Sequence, residues 1–298
     1  MVLRYWLQNW LRQKASRTVR EKMGEALREE LAKRQGEQAG NEPQAEPPAC
    51  RLGAVFALEI ESGGLEDLLQ EAVAVRGHGF TAVRGVLARR NVVIVRSGAG
   101  SEAAATATEA LIQGHRPEWV VSAGFAGALV PELGRHDLVV ADSVVDPAGN
   151  VATFELKLDR EELARMDGVH VGRLLTVERV VRLPNEKRSL GQKHHAIAAD
   201  METFAVAEVC RRREVPLLAV RIITDAVDDE LPPDVDRLTR QKTTARQFGA
   251  AVGAIWNRPS SFKDMYRLKE TALVASDRLA KFLASTLTQL VPLPPAKQ

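Results

Sequence analysis

The sequence predicts an α/β fold with a mostly parallel central sheet. Between residues 50 and 257, short apolar runs of strand length alternate with helical stretches of ten or more residues. The acidic and glycine-rich segments fall directly after the apolar runs, where α/β proteins place their sites. A span of about 200 residues suits one such domain.

The elements follow in chain order. In residues 1–34, Leu3, Trp6, Leu7, Trp10 and Leu11 recur at helical spacing, and the first basic residues (Arg4, Arg12, Lys14, Arg17 and Arg20) precede any acid. This reads as an amphipathic basic helical extension. Its stripe suits packing on the main domain or a partner subunit, or contact with an anionic membrane surface. Gln8, Asn9, Arg12 and Gln13 break the apolar core that a secretory signal needs. Residues 35–49 are rich in Gly, Glu, Gln, Pro and Asn and read as a flexible linker. The domain at 50–257 then predicts a strand over 53–58 and a helix over 65–75. A hairpin follows, 80–87 with 91–96, across Ala88-Arg89-Arg90. Next come an Ala-rich helix over 101–114, strands over 119–123 and 137–142, a helix over 205–213, a strand over 216–223 and a helix over 239–255. Residues 258–298 form a C-terminal helical extension. Arg258-Pro259-Ser260-Ser261 is a turn and N-cap signal, and Met265, Leu268, Ala272, Leu279, Phe282, Leu283 and Leu290 keep helical spacing. That spacing predicts one or two helices packed on the domain or on a neighbour.

Composition narrows the function classes. The 298 residues carry 41 Lys+Arg against 39 Asp+Glu, a net charge of +2, with 45% hydrophobic residues. That balance excludes a mainly disordered or collagen-like chain and argues against an obligate nucleic-acid binder. There is no run of 18 apolar residues to span a membrane. Cys50 and Cys210 are too few for a disulfide framework or a zinc site and read as reduced cytosolic thiols. His194-His195 lacks a surrounding ligand set, so no metal site is expected.

Three segments carry chemistry: Ala57–Ser62, Ser122–Leu129, and Ala199–Thr203 together with Arg221–Asp225. Glu61, Glu202 and Asp225 would converge from different strand ends. Close carboxylates push each other's proton affinity apart, so one can serve as acid and another as base. Gly124 and Gly127 let a ligand approach the main chain. Such a site could hold sugar hydroxyls with one carboxylate while two others handle protons. Taken singly, each feature has an ordinary structural reading, as a solvated loop glutamate, a turn, helix-start charges at Asp200 and Glu202, or an ion-pair partner at Arg221.

In combination, these motifs resemble the purine nucleoside phosphorylase-like superfamily, and within it the 5′-methylthioadenosine/S-adenosylhomocysteine nucleosidases, over about two-thirds of the chain. The carriers are Ala57–Glu61, Ser97-Gly98-Ala99-Gly100, the A-G-x-L turn at Ala126–Leu129, Asp200-Met201-Glu202 and Val220–Asp225. The resemblance implies a three-layer α/β/α domain with a mixed central sheet, a cytoplasmic homodimer or larger assembly, no cofactor and no metal, and a purine nucleoside as substrate. It implies that Glu61 activates the attacking water, Asp225 protonates purine N7 and Arg221 orders the water and carboxylates. Glu202 would bind the ribose hydroxyls beside Met201, with Asp200, Phe125, Ala126 and Gly127 completing the substrate surface.

Departures from the family pattern bear on the nucleophile. Phosphorylases of the superfamily hold phosphate with an arginine and a serine around the second glycine turn, where this chain has Ser122 and Phe125. A phosphate dianion beside Glu61 without a cation is disfavoured, which points to water. Arg96 or Arg179 could still supply the cation, so phosphorolysis remains the alternative, with a non-catalytic nucleoside-binding or membrane-peripheral scaffold as a third reading. The stretch 176–187 is similar to the hopanoid-associated phosphorylases, which implies a lipid-linked adenosyl substrate for that alternative. Phe154 reads as a core residue or a base-stacking one.

Overall fold

The computed structural model describes residues 50–76, 80–231 and 261–291. The N-terminal extension, the linker and the helix expected over 239–255 lie outside the described residues, apart from Cys50 at the domain's start.

Strand β1 (Leu52–Phe56) leads into helix α1 (Glu59–Glu66), followed by β2 (Gln70–Arg76), β3 (Thr81–Leu87) and β4 (Arg90–Arg96). Helix α2 (Ser101–His115) precedes the long β5 (Trp119–Ala128), β6 (Leu138–Val145), β7 (Val151–Thr153) and α3 (Arg160–Arg165). The chain continues through β8 (Val169–Thr176), α4 (Pro184–His194), β9 (Ala198–Asp200), α5 (Thr203–Arg213), β10 (Leu217–Asp225) and α6 (Ser261–Leu290).

The sheet is mixed. β1 lies parallel to both β4 and β5, and β5 is parallel to β10. β10 is antiparallel to β6, β6 is parallel to β8, β8 is parallel to β9, and β9 returns antiparallel to β5. These five strands therefore close a ring, while β1, β4, β3 and β2 extend from it as an open wing. The alternation of strand side chains builds a core on each face. Leu52, Ala54 and Phe56 of β1 join Val92 and Ile94 of β4 on one side, together with Leu65 of α1 and Leu279, Leu283 and Leu287 of α6. Val55, Val93 and Val95 point the other way, onto Ala104, Ala107 and Leu111 of α2, which packs in turn on α5. Two apolar faces covered by helices make the three layers, and they explain why these strands read as continuous apolar runs.

The structure corrects the sequence reading over one stretch. Residues 65–75 are not one helix. The helix runs from Glu59 to Glu66, and Gln70–Arg76 is an edge strand paired antiparallel with β3. Leu65, Leu68, Leu69 and Ala72 mimic helical spacing, but Val73 and Val75 share one face of a strand whose partner comes later in sequence. The C-terminal segment forms one helix, α6, which packs on α1. It buries Ala275, Ser276, Leu279, Leu283, Leu287 and Leu290 at spacings of three and four. At the crossing, a Cβ on Gly64 would lie 2.8 Å from the Ser276 carbonyl oxygen, so glycine permits the close approach. Phe154 is half-buried and packs on the core beneath α2 and α5. The β3–β4 hairpin forms as expected, with Ala88 and Arg89 at φ 46° and 64°, the backbone of a type I′ turn.

Candidate active site

Strand β5 organises the site. Its C-terminal half, Gly124–Ala128, lies beside β10 with Arg221 opposite Gly124 and Asp225 opposite Gly127. Glu61 sits in the first turn of α1, where its Oε2 accepts from the Leu58 N–H at 2.8 Å and its Oε1 from the Phe125 N–H at 2.9 Å. Both carboxylate oxygens are thus aimed by backbone donors. Gly124 leaves room for the group, since a Cβ there would lie 2.9 Å from Glu61 Oε1. Burial pushes the Glu61 carboxyl up, against the two N–H bonds and the charge of Arg221.

Glu202 is the half-buried residue that precedes α5, and its Oε1 accepts the Gly100 N–H at 2.7 Å. Gly100 holds φ 100° at the start of α2, a conformation that favours glycine and turns that N–H toward the carboxylate. Burial, then the charges of Asp200 and Glu61, pushes the Glu202 carboxyl up to about 8. Met201 is half-buried beside it, and its carbonyl accepts from Ser101 Oγ at 3.1 Å.

Asp225 ends β10. A Cβ on Gly127 would lie 2.8 Å from its Oδ2, so glycine is needed for this approach as well. Its Oδ1 accepts from Thr224 Oγ1 at 3.0 Å, and its Oδ2 accepts from Lys187 Nζ at 2.6 Å. Burial raises the Asp225 carboxyl, and the Lys187 charge opposes it. Sequence reasoning missed Lys187. A lysine in the first turn of an unremarkable helix carries no pattern, and only the packing of α4 against the end of β10 delivers its ammonium there.

Asp200 and Arg221 lie behind this surface. Asp200 Oδ2 accepts from Arg221 Nε at 2.9 Å, from Arg221 Nη2 at 2.7 Å, and from the Thr203 N–H at 2.9 Å, while its Oδ1 accepts from Thr176 Oγ1 at 2.7 Å. Arg221 also donates to Ser122 Oγ and to the Val220 carbonyl, each at 2.9 Å. Their side chains are 0% and 2% exposed. The expectation that Asp200 touches substrate gives way to a buried ion pair that joins β9, β10 and β5. Arg221, expected to order the water, is likewise sealed in, its donors engaged by Asp200, Ser122 and Val220. Phe125 is half-buried and Ala126 buried, with the Ala126 carbonyl accepting from Thr224 Oγ1 at 3.4 Å.

Both arginines considered as phosphate cations are paired with carboxylates. Arg96 contacts Glu59 at 3.2 Å and Glu66 at 3.7 Å, and Arg179 bonds Glu186. Among the described residues, no group of three His, Cys, Asp or Glu could hold a metal ion, and no helix is long and apolar enough to cross a membrane.

Comparison with known proteins fits this geometry. A 5′-methylthioadenosine/S-adenosylhomocysteine nucleosidase of Tolumonas auensis is 28% identical over 204 residues, covering 61% of this chain and 89% of the relative. Among solved structures, a Helicobacter pylori MTAN mutant with 5′-methylthioadenosine in its active site superposes with TM-score 0.63 at 19% identity, over 81% of this chain and 99% of that one. A Colwellia psychrerythraea nucleosidase in complex with adenine gives TM-score 0.60 at 23% identity, over 81% of this chain and 96% of the other. These two structures support the fold. The Phosphorylase superfamily matches residues 51–255. With that match spanning most of the 298 residues, the chain belongs to the phosphorylase superfamily.

Proposed function

We propose that this protein is a nucleosidase that hydrolyses the N-glycosidic bond of a 5′-modified purine nucleoside and releases adenine. The observation that carries the reading is the placement of two carboxyl groups on one strand segment. Phe125 of β5 bonds Glu61, and Gly127, two residues on, makes room for Asp225. In this reading Glu61 takes a proton from water, whose oxygen attacks C1′. The C1′–N9 bond breaks, its electron pair passes to the purine, and Asp225 gives its proton to N7. Glu202 accepts the ribose hydroxyls in place of the Gly100 N–H it holds here. Burial raises the proton affinity of both Asp225 and Glu61, the direction that suits an acid and a base. The names of the curated relatives support 5′-methylthioadenosine and S-adenosylhomocysteine as the substrate class.

Water is favoured over phosphate because Arg96 and Arg179 already pair with glutamates and Ser122 Oγ serves Arg221. The chain is further read as a cytoplasmic homodimer, with residues 1–34 as a point of contact with a membrane surface or a partner. The test is adenine release from both nucleosides, with and without phosphate. Phosphate-independent release with free sugar supports the hydrolase. Release only with phosphate assigns the phosphorylase, and binding without turnover assigns a scaffold.

A further inference from the structure

Lys187 has no part in the reaction just described, yet it is among the most deeply buried charges in the protein. Its side chain is 1% exposed. Its three donors are fully used: Nζ reaches Asp225 Oδ2 at 2.6 Å, the Ala226 carbonyl at 2.8 Å and the Asp229 carbonyl at 2.9 Å. We propose that Lys187 is the positioning residue of the leaving-group acid, holding Asp225 Oδ2 and the segment after it so that Oδ1 carries and delivers the proton. The inference rests on the nucleosidase reading and deepens it.

The geometry separates the two oxygens. Oδ2 faces an ammonium fixed from α4, whereas the neighbour of Oδ1 is the Thr224 hydroxyl, which can rotate. The segment that follows is tied down by the same ammonium and by the Asp229 carboxylate, which accepts from the Ala226 N–H at 2.6 Å and from Arg135 Nε at 2.9 Å. Lys187, Asp229 and Arg135 are the charged groups that act on the acid most directly among the described residues. The charge has a chemical consequence that a structural clamp lacks. An acid that has given up its proton is left as a buried carboxylate, and the adjacent ammonium stabilises that product state.

The test compares Lys187→Met and Lys187→Arg with the unaltered protein on two substrates. One is 5′-methylthioadenosine. The other is 4-nitrophenyl β-ribofuranoside, whose phenolate leaves without protonation at a purine nitrogen. Lys187→Met should lose at least about tenfold in kcat on the purine substrate and far less on the nitrophenyl one. Removing the positive charge should also move the basic limb of the kcat–pH profile, which reports protonated Asp225, to higher pH. Lys187→Arg keeps the charge and should leave that limb in place while losing more rate on the purine substrate than on the nitrophenyl one, so it reports even if the methionine variant fails to fold. Equal losses on both substrates in either variant, or an unmoved limb in Lys187→Met, would mean a merely structural lysine and would overturn the proposal. If the unaltered protein releases no adenine, the nucleosidase reading itself falls, a result separable from any variant effect.

Discussion

Arg221→Met is the most direct test of the buried scaffold beneath the site. The substitution removes the two bonds to Asp200 at 2.9 and 2.7 Å and those to Ser122 and Val220. The Asp200 side chain is 0% exposed, so water cannot replace the guanidinium. Removing one partner of a buried pair costs about 3–5 kcal/mol, because the remaining charge stays buried without compensation. For a domain of this size, each kcal/mol lowers Tm by roughly 2–4 °C, so the expected drop is roughly 6–20 °C. Differential scanning calorimetry measures it. The double variant Arg221→Met with Asp200→Asn removes the orphaned charge and should recover a substantial part of the loss, since the two residues act as a unit. A single variant that loses less than about 1 kcal/mol, or a double variant no more stable than the single, would refute the view that this pair holds β9, β10 and β5 together.

Other outcomes follow from the same geometry. Glu61→Gln keeps the size of the side chain but sets its NH2 against one of the two backbone N–H donors, and it should lower kcat for adenine release by about 10²–10⁴-fold; near-normal turnover would remove Glu61 from the chemistry. Gly127→Ala places a Cβ 2.8 Å from Asp225 Oδ2 and should cut kcat far more than it cuts stability, measured as initial rates beside a thermal melt. Gly64→Ala meets the Ser276 carbonyl oxygen at 2.8 Å, which backbone cannot easily yield, so denaturant titration should show a loss of about 1–3 kcal/mol. Glu202 holds its proton more tightly folded than unfolded, with its carboxyl raised to about 8. The unfolded chain therefore ionises first as pH rises, and the free protein should lose stability from about pH 5 to about pH 8. Glu202→Gln should flatten that dependence in urea midpoints taken across the range, and an unchanged slope would contradict the assignment.

Much of the molecule was legible in residue order, because the properties concerned are local. The alternation of Val92, Val93, Ile94 and Val95 between two faces, the turn at Ala88-Arg89 and the helical stripe through Leu279, Leu283 and Leu290 depend on neighbours a few residues away. The positions of Glu61, Glu202 and Asp225 at or just after strand ends likewise followed from the alternation of strand and helix. Short strands such as β7 and β9 carry too few residues for a periodicity, and β2 was misread because Leu65, Leu68 and Leu69 extend a helical spacing past the real helix end. What only the tertiary structure decided are pairings between distant segments. The closure of β5, β10, β6, β8 and β9 into a ring joins Val121 to Leu218 and Gly127 to Ala199, residues far apart in sequence. That closure seals Asp200 and Arg221 behind the site rather than at its surface. It also brings the ammonium of Lys187 to Asp225 across 38 positions of sequence. Composition and spacing encode which side chains face a core, whereas the partner that each buried charge finds depends on how the strands close.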